Sequence, residues 1–174
     1  MFVPSLYNDG AIKKNMFAIF IDQNGESKIQ IGGYDLSKYA IGGIKWYDLA
    51  GSSFWAFEFG DVKVGKQSFK PSVTRIMADT GTSLNMVPDV DFFKLKNMFF
   101  DPATCETLEN SLSSCDCTEA EHKAIPNITF KIDGDEFVIP RDQWVDRAYS
   151  LNKCVIKLMH APGRSEWILG VNFF

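Results

Sequence analysis

The stretch Arg75-Ile-Met-Ala-Asp-Thr-Gly-Thr-Ser-Leu-Asn-Met-Val-Pro88 constrains this chain more than any other. An apolar run, Ile76 to Ala78, leads into Asp79-Thr-Gly-Thr-Ser83, and Leu84, Met86 and Val87 lead out. Two short apolar segments around a small polar turn predict a buried strand, a tight loop and a second strand. Such a loop sets one carboxylate at its tip. Gly81, with no Cβ, lets other backbone approach closely. The Thr80 hydroxyl, turned inward, would hydrogen-bond nearby main chain and hold the loop rigid. Thr82 and Ser83 are placed to donate to the carboxylate and keep it ionised.

A carboxylate held in this way suits one half of an acid–base hydrolysis site. Two carboxyl groups held close cannot both ionise, so they share one proton. The ionised one draws a proton from water, and the protonated one donates to the substrate carbonyl. The chain has one such loop, so it would supply one member of the pair.

A chain of 174 residues can bury the core of one domain. Its 45% hydrophobic and 23% charged residues are those of a soluble globular protein, and its 15 Phe in short alternating runs favour sheet over helix. A net charge of -4 without a Lys/Arg cluster gives nucleic-acid binding no support. No apolar run approaches a membrane span. The start, Met-Phe-Val-Pro-Ser-Leu-Tyr, lacks the basic end and long apolar core of a signal peptide. A zinc site would want paired ligands at two places, whereas Cys115-Asp-Cys117 is a single close pair with Cys105 and Cys154 apart. Disulfides are the better reading, with three pairings open, and no metal is expected. His122 and His160 have no serine or cysteine nucleophile motif nearby and read as surface residues.

Along the chain, Met16–Ile21 predicts a buried strand, Asn24-Gly25 a turn, and Lys28–Ile31 a returning strand. Ile44–Leu49 reads as another strand. In Phe54–Val64, Trp55, Phe57 and Phe59 share one parity and Val62 and Val64 the other, which predicts one strand re-phased by a bulge near Gly60-Asp61. Asp89 is placed to cap a helix with Phe92, Leu95, Met98 and Phe99 at helical spacing, ended by Pro102. Thr104–Lys123 is polar and reads as a surface excursion. Ile128, Phe130 and Ile132, the turn Asp133-Gly134 and then Phe137–Ile139 predict a hairpin. Cys154–Met159 and Trp167–Gly170 read as further strands, the latter buried. The fold class is mostly β, chiefly antiparallel, with one or two short helices.

The Asp-Thr-Gly-Thr-Ser loop with its apolar flanks resembles the active-site loop of the pepsin and cathepsin D family of aspartic proteases. Other segments agree in order. Asn15–Phe20 resembles that family's entry strand into its C-terminal lobe, and Gln30–Asp35 resembles its Phe-Gly-Gly-x-Asp turn. Tyr39–Trp46 resembles Tyr-x-Gly-x-Leu-x-Trp, and Ile125–Phe130 resembles Leu-Pro-x-Ile-x-Phe. Trp167-Ile168-Leu169-Gly170 resembles the strand that passes beside the aspartate loop.

The resemblance implies that residues 1–174 form a single, incomplete C-terminal lobe of a bilobal protease with a pepsin-like acid protease fold. The N-terminal lobe, with its own aspartate, and the last strands would be missing. Asp79 would be the second catalytic aspartate, and Thr80 would make the hydrogen bond that ties the two lobes' loops together. Gly81 and Thr82 would line the cleft floor and bind substrate backbone, and Met77 would point into a side-chain pocket. Family members cleave peptide bonds between bulky apolar residues through an activated water, without metal or other cofactor. One family disulfide would join Cys154 to Cys117 or Cys115, with Cys117 closer in spacing, and Cys105 would then pair with Cys115. Disulfides and the sequon Asn127-Ile-Thr129 together point to secretion or a lysosome- or vacuole-like compartment. Val171 departs from the family's usual Asp, which bears on pH tuning. The alternatives are a non-enzymatic peptide-binding or structural lobe from a truncated gene, and a homodimer pairing two Asp79 loops.

Overall fold

The computed structural model describes residues 1–22, 25–51, 53–108, 112–148 and 151–174. The chain divides into two compact units, Met1–Trp46 and Tyr47–Phe174.

The first unit holds helix α1 (Phe2–Asn8), strands β1 (Phe17–Phe20) and β2 (Lys28–Ile31), and the short helix α2 (Leu36–Tyr39). β1 and β2 pair antiparallel, as the two apolar runs predict, with Phe17 opposite Ile31 and Ile19 opposite Ile29. Asn24 of the expected turn lies outside the described residues. Directly opposed residues share a face. Phe17, Ile19, Ile29 and Ile31 therefore form one apolar face, and all four are exposed, so β1 is not the buried strand its apolar run predicts. The expected strand at Ile44–Leu49 does not form. An alternating run becomes a strand only where a neighbouring edge takes up its hydrogen bonds, and no described strand lies alongside this run in a sheet. Within this run Tyr47 is fixed by its side chain, with its hydroxyl donating to Asp135 Oδ2 at 2.8 Å and its ring edge-on to Phe57 and Phe137.

The second unit begins with β3 (Ala56–Glu58), β4 (Val62–Val64), β5 (Gln67–Phe69), β6 (Arg75–Ala78), β7 (Met86–Val87) and helix α3 (Asp89–Phe99). Next come β8 (Cys105–Thr107), β9 (Ser113–Asp116), helix α4 (Glu119–Ala124), β10 (Ile128–Ile132) and β11 (Asp135–Ile139). Helix α5 (Arg141–Trp144), β12 (Val145–Ala148), β13 (Lys153–Ile156), β14 (Met159–His160) and β15 (Trp167–Leu169) complete it. Three sheets result, in the orders β11-β10-β4-β5, β12-β13-β9-β8 and β14-β7-β15-β6-β3. Pairing is antiparallel except for β14 with β7 and β15 with β6. Strands predominate and the helices are few and short, consistent with one lobe of a pepsin-like fold.

The Asp133-Gly134 hairpin forms as expected. Both turn residues have positive φ, 49° and 82°, which matches the twist of the flanking strands. Phe54–Val64 does not form one bulged strand. It breaks at Phe59–Asp61, so that β3 pairs with β6 and β4 with β10 and β5. The parity change read from the sequence is therefore a change of sheet. The polar Thr104–Lys123 segment is not a surface excursion either. β8 and β9 extend a sheet, and Ser113, Ser114 and Cys115 are buried. Backbone pairing and two disulfides, Cys105–Cys115 and Cys117–Cys154, hold this polar strand inside.

His122 is likewise not a surface residue. A capping box of Thr118 and Glu121 starts α4 and turns His122 inward, where it is 8% exposed. Its Nε2 has no hydrogen-bond partner among the described residues. His160 is partly exposed and pairs with Asp89 at 3.1 Å.

Helix α3 packs Phe92 and Leu95 into the core as its spacing predicts. Asp89 does not cap it. Pro88 holds the N-cap position and Asp89 begins the helix, its carboxylate turned to His160 Nδ1. Two residues on, Asp91 is 1% exposed. Its carboxylate accepts from the Ser72 N–H and hydroxyl and from Trp167 Nε1, the last at 2.7 Å. This links the helix to β15 beneath the aspartate loop. Asp91→Asn sets an NH2 group against those donors. It is expected to lower unfolding stability by about 2 kcal/mol, the cost of leaving a buried donor unpaired, measured by urea unfolding.

No helix among the described residues is long and apolar enough to cross a membrane.

Candidate active site

Asp79 stands where β6 ends. β6 lies between β3 and β15, so the chain enters the loop from a strand paired on both sides. Ile76 faces the main core, at 0% exposed, and Met77 points the other way, packed with Ala56 and Ile168. The loop is closed from within. Thr82 N–H donates to the Asp79 carbonyl at 3.1 Å. Gly81 N–H donates to Asp79 Oδ1 at 2.9 Å, and the Thr82 hydroxyl donates to Asp79 Oδ2 at 2.6 Å.

The end of β15 clamps this loop from outside. Asp79 N–H donates to the Leu169 carbonyl, Val171 N–H to the Thr82 carbonyl at 2.7 Å, and Asn172 N–H to the Ser83 carbonyl. The Gly170 N–H is taken by a side chain, Asn85 Oδ1, at 2.9 Å. A Cβ on Gly170 would lie 2.6 Å from the Leu84 carbonyl carbon and oxygen and 2.8 Å from Thr82 O. Only glycine lets the two segments meet this closely. The parallel register, Ile168 opposite Met77 and Leu169 opposite Ala78, brings Gly170 level with the loop.

The sequence expected three hydroxyls to work here, and the structure uses one. Thr82 holds the carboxylate. Ser83 and Thr80 are exposed and their side chains make no hydrogen bond among the described residues. The carboxylate oxygens are already taken by Gly81 and Thr82, and the close approach of β15 puts the loop's main-chain bonds on the Gly170 side. Asn85 was not foreseen. It is 1% exposed, and its Nδ2 is buried without a partner among the described residues. The signal was available, since one amide interrupts the apolar run Leu84, Met86 and Val87.

The carboxyl of Asp79 is held below the ordinary carboxylate pKa. The Thr82 hydroxyl contributes most and the Gly81 N–H next; burial opposes them more weakly, and the charge of Arg164 contributes least. Hydrogen bonds to the ionised form are what lower such a value. Thr82→Val removes the strongest donor at nearly constant volume. It is expected to raise the Asp79 pKa towards the ordinary carboxylate range, read from the carboxyl carbon shift in an NMR titration. An unchanged titration would show that Thr82 does not set it. The site is thus a half-buried, ionised carboxylate at a rigid tip, able to accept a proton or orient a water. Among the described residues no His, Cys, Asp and Glu side chains group in a way that could hold a metal ion.

Against known proteins, the family profile described as Eukaryotic aspartyl protease matches residues 1–174. Pregnancy-associated glycoprotein of Equus caballus is 24% identical over 173 residues, covering 95% of this chain and 43% of that protein. Pepsin A of Gallus gallus is 27% identical over 169 residues, 91% of this chain and 42% of its own length. Probable vacuolar protease A of Trichophyton verrucosum is 29% identical over 147 residues, 80% and 35% respectively. The chain spans well under half the length of these relatives. With the profile matching throughout, this chain belongs to the eukaryotic aspartyl protease family.

Proposed function

We propose that this chain is the C-terminal lobe of an aspartic endopeptidase, supplying one of two catalytic carboxylates. The observation that carries the reading is the Asp79 loop. Its carboxylate is fixed by Gly81 and Thr82, and its backbone is clamped to Gly170. A facing lobe would bring a second carboxylate, and the pair would share one proton and hold a water between them. The ionised carboxylate takes a proton as the water oxygen attacks the peptide carbonyl carbon. The protonated one donates to the carbonyl oxygen. Collapse of the tetrahedral intermediate breaks the C–N bond, and the amine leaves with a proton.

In this reading Thr80 ties the two loops across the lobes, which suits a side chain that is exposed and unbonded. Gly81 and Thr82 would hold substrate backbone, and Met77, which packs with Ala56 and Ile168, would meet a bulky apolar side chain of the substrate. The exposed apolar face of Phe17, Ile19, Ile29 and Ile31 offers the other lobe a surface to cover. The compartment is secreted or vacuole-like, as the two disulfides and the vacuolar relative suggest.

The test is to express the reading frame with its flanking gene sequence and assay a peptide with an internal Phe–Phe bond at acidic pH. Cleavage that a pepstatin-type inhibitor stops is the expected result. A folded product with no upstream Asp-Thr-Gly lobe and no cleavage would overturn the proposal in favour of a non-enzymatic lobe.

A further inference from the structure

The four cysteines lie together on one sheet. Cys105 on β8 stands directly opposite Cys115 on β9, and Cys115 stands directly opposite Cys154 on β13. Opposed residues on adjacent antiparallel strands share a face. Cys105, Cys115 and Cys154 therefore form a transverse row, with Cys115 in the middle. Cys117 is two residues further along and keeps the parity of Cys115. The bridges present are Cys105–Cys115 and Cys117–Cys154. Cys115 and Cys154 are nonetheless nearest cross-strand neighbours. Opposed Cα atoms sit about 4.5–5.5 Å apart, within the range a disulfide spans. Burial is graded along the row. Cys105 is partly exposed, Cys115 and Cys154 are 0% exposed, and Cys117 is 3% exposed.

We propose that this row is a thiol–disulfide relay that accepts a small-molecule thiol at Cys105 and passes the exchange inward to Cys117. The thiolate of a glutathione-type thiol attacks Sγ of Cys105, the partly exposed member of the row. A mixed disulfide forms there and the Cys105–Cys115 bond breaks, leaving Cys115 as a thiolate. That thiolate attacks the opposed Cys154 Sγ, forming Cys115–Cys154 and releasing the sulfur of Cys117. The proton of the incoming thiol ends on Cys117. Two disulfides exist before and two after; the incoming thiol is oxidised into the mixed disulfide as Cys117 is reduced, so no further oxidant or reductant is needed. Attack on Cys117 instead would need a bridge between residues two apart on an extended segment. Their Cα atoms lie near ~6.5 Å, at the edge of the permitted range. Cys154 is the better target. The exchange frees Cys117 from β13. Cys117 directly precedes Thr118, the cap of α4, so the relay loosens the helix that carries the buried His122.

The experiment treats the chain with reduced glutathione near ~8.5, the ordinary thiol pKa, then quenches with acid. Free thiols are alkylated with N-ethylmaleimide and the protein is digested at low pH. Fragmentation locates each label, because Cys115 and Cys117 share a peptide. Glutathione on Cys105, maleimide on Cys117 and a Cys115–Cys154 linked peptide are expected in most of the modified protein. Maleimide on Cys115 with Cys117–Cys154 intact overturns the relay, as does glutathione first appearing on any other cysteine or on none. Cys105→Ser is the second arm. It leaves Cys115 free beside the second bridge, so maleimide is expected on both Cys115 and Cys117. Label on Cys115 alone also overturns the proposal. Neither arm depends on the protease reading.

Discussion

On the proposed protease reading, replacing Asp79 by Asn in a protein that also carries the facing lobe is expected to cut peptide-bond cleavage at least about 10³-fold, while the fold persists. An amide keeps the shape and can still bond the Gly81 N–H and Thr82 hydroxyl that hold Asp79. It can neither take a proton from water nor share one with a facing carboxyl group. The loss belongs in kcat, with KM little changed, because the chemistry and not the binding surface is altered. Stability separates this effect from misfolding. The native pKa of Asp79 is depressed. Its ionised form therefore favours the folded state above the unfolded pKa, and that contribution is lost as pH falls through the native value. Asp79→Asn should melt slightly below the parent protein at neutral pH and level with it in strong acid. Cleavage within about tenfold of the parent would remove Asp79 from the chemistry.

Gly170→Ala is expected to cost about 3 kcal/mol of unfolding stability, at the upper end for one added methyl in a packed site. The residue's own conformation, φ -82° and ψ -177°, suits any amino acid, so backbone strain does not contribute. What Cβ meets is main chain, the Leu84 carbonyl at 2.6 Å and Thr82 O at 2.8 Å, and main chain has no rotamer to turn away. The loop must move off β15. With it go the bonds from Gly170 to Asn85, Val171 to Thr82 and Asp79 to Leu169. Gly60→Ala is the control. It has nothing within 4 Å of a new Cβ and should shift stability by no more than about 0.5 kcal/mol. Equal midpoints for the two variants in urea unfolding would show that the clamp does not hold the loop.

The aspartate loop was legible because its signal is local. A carboxylate, a glycine and hydroxyl residues between two apolar runs have few ways to fold. The Trp167–Gly170 strand was legible for the same reason, and so was the Asp133-Gly134 hairpin, whose turn residues must take positive φ. Local pattern was silent about partners. The alternation of Phe54–Val64 placed Phe57 and Phe59 against one core but not Trp55, which is exposed, and gave connectivity wrongly, since period two does not say which sheet receives a strand. Ser113 and Ser114 looked like solvent residues. They are buried because β9 lies between β8 and β13, which satisfy its backbone on both edges.

By itself the sequence determined that Asp79 sits at a tight bend between buried strands, in a mostly β chain of the aspartyl protease type. Those features follow from the propensities of neighbouring residues. The tertiary structure alone decided that Gly170, far along the chain, would close on Leu84 and Thr82, that Asn85 would take the Gly170 N–H, and that Thr82 rather than Ser83 or Thr80 would hold the carboxylate. Those outcomes depend on strand register, a long-range property that no short stretch of residues encodes.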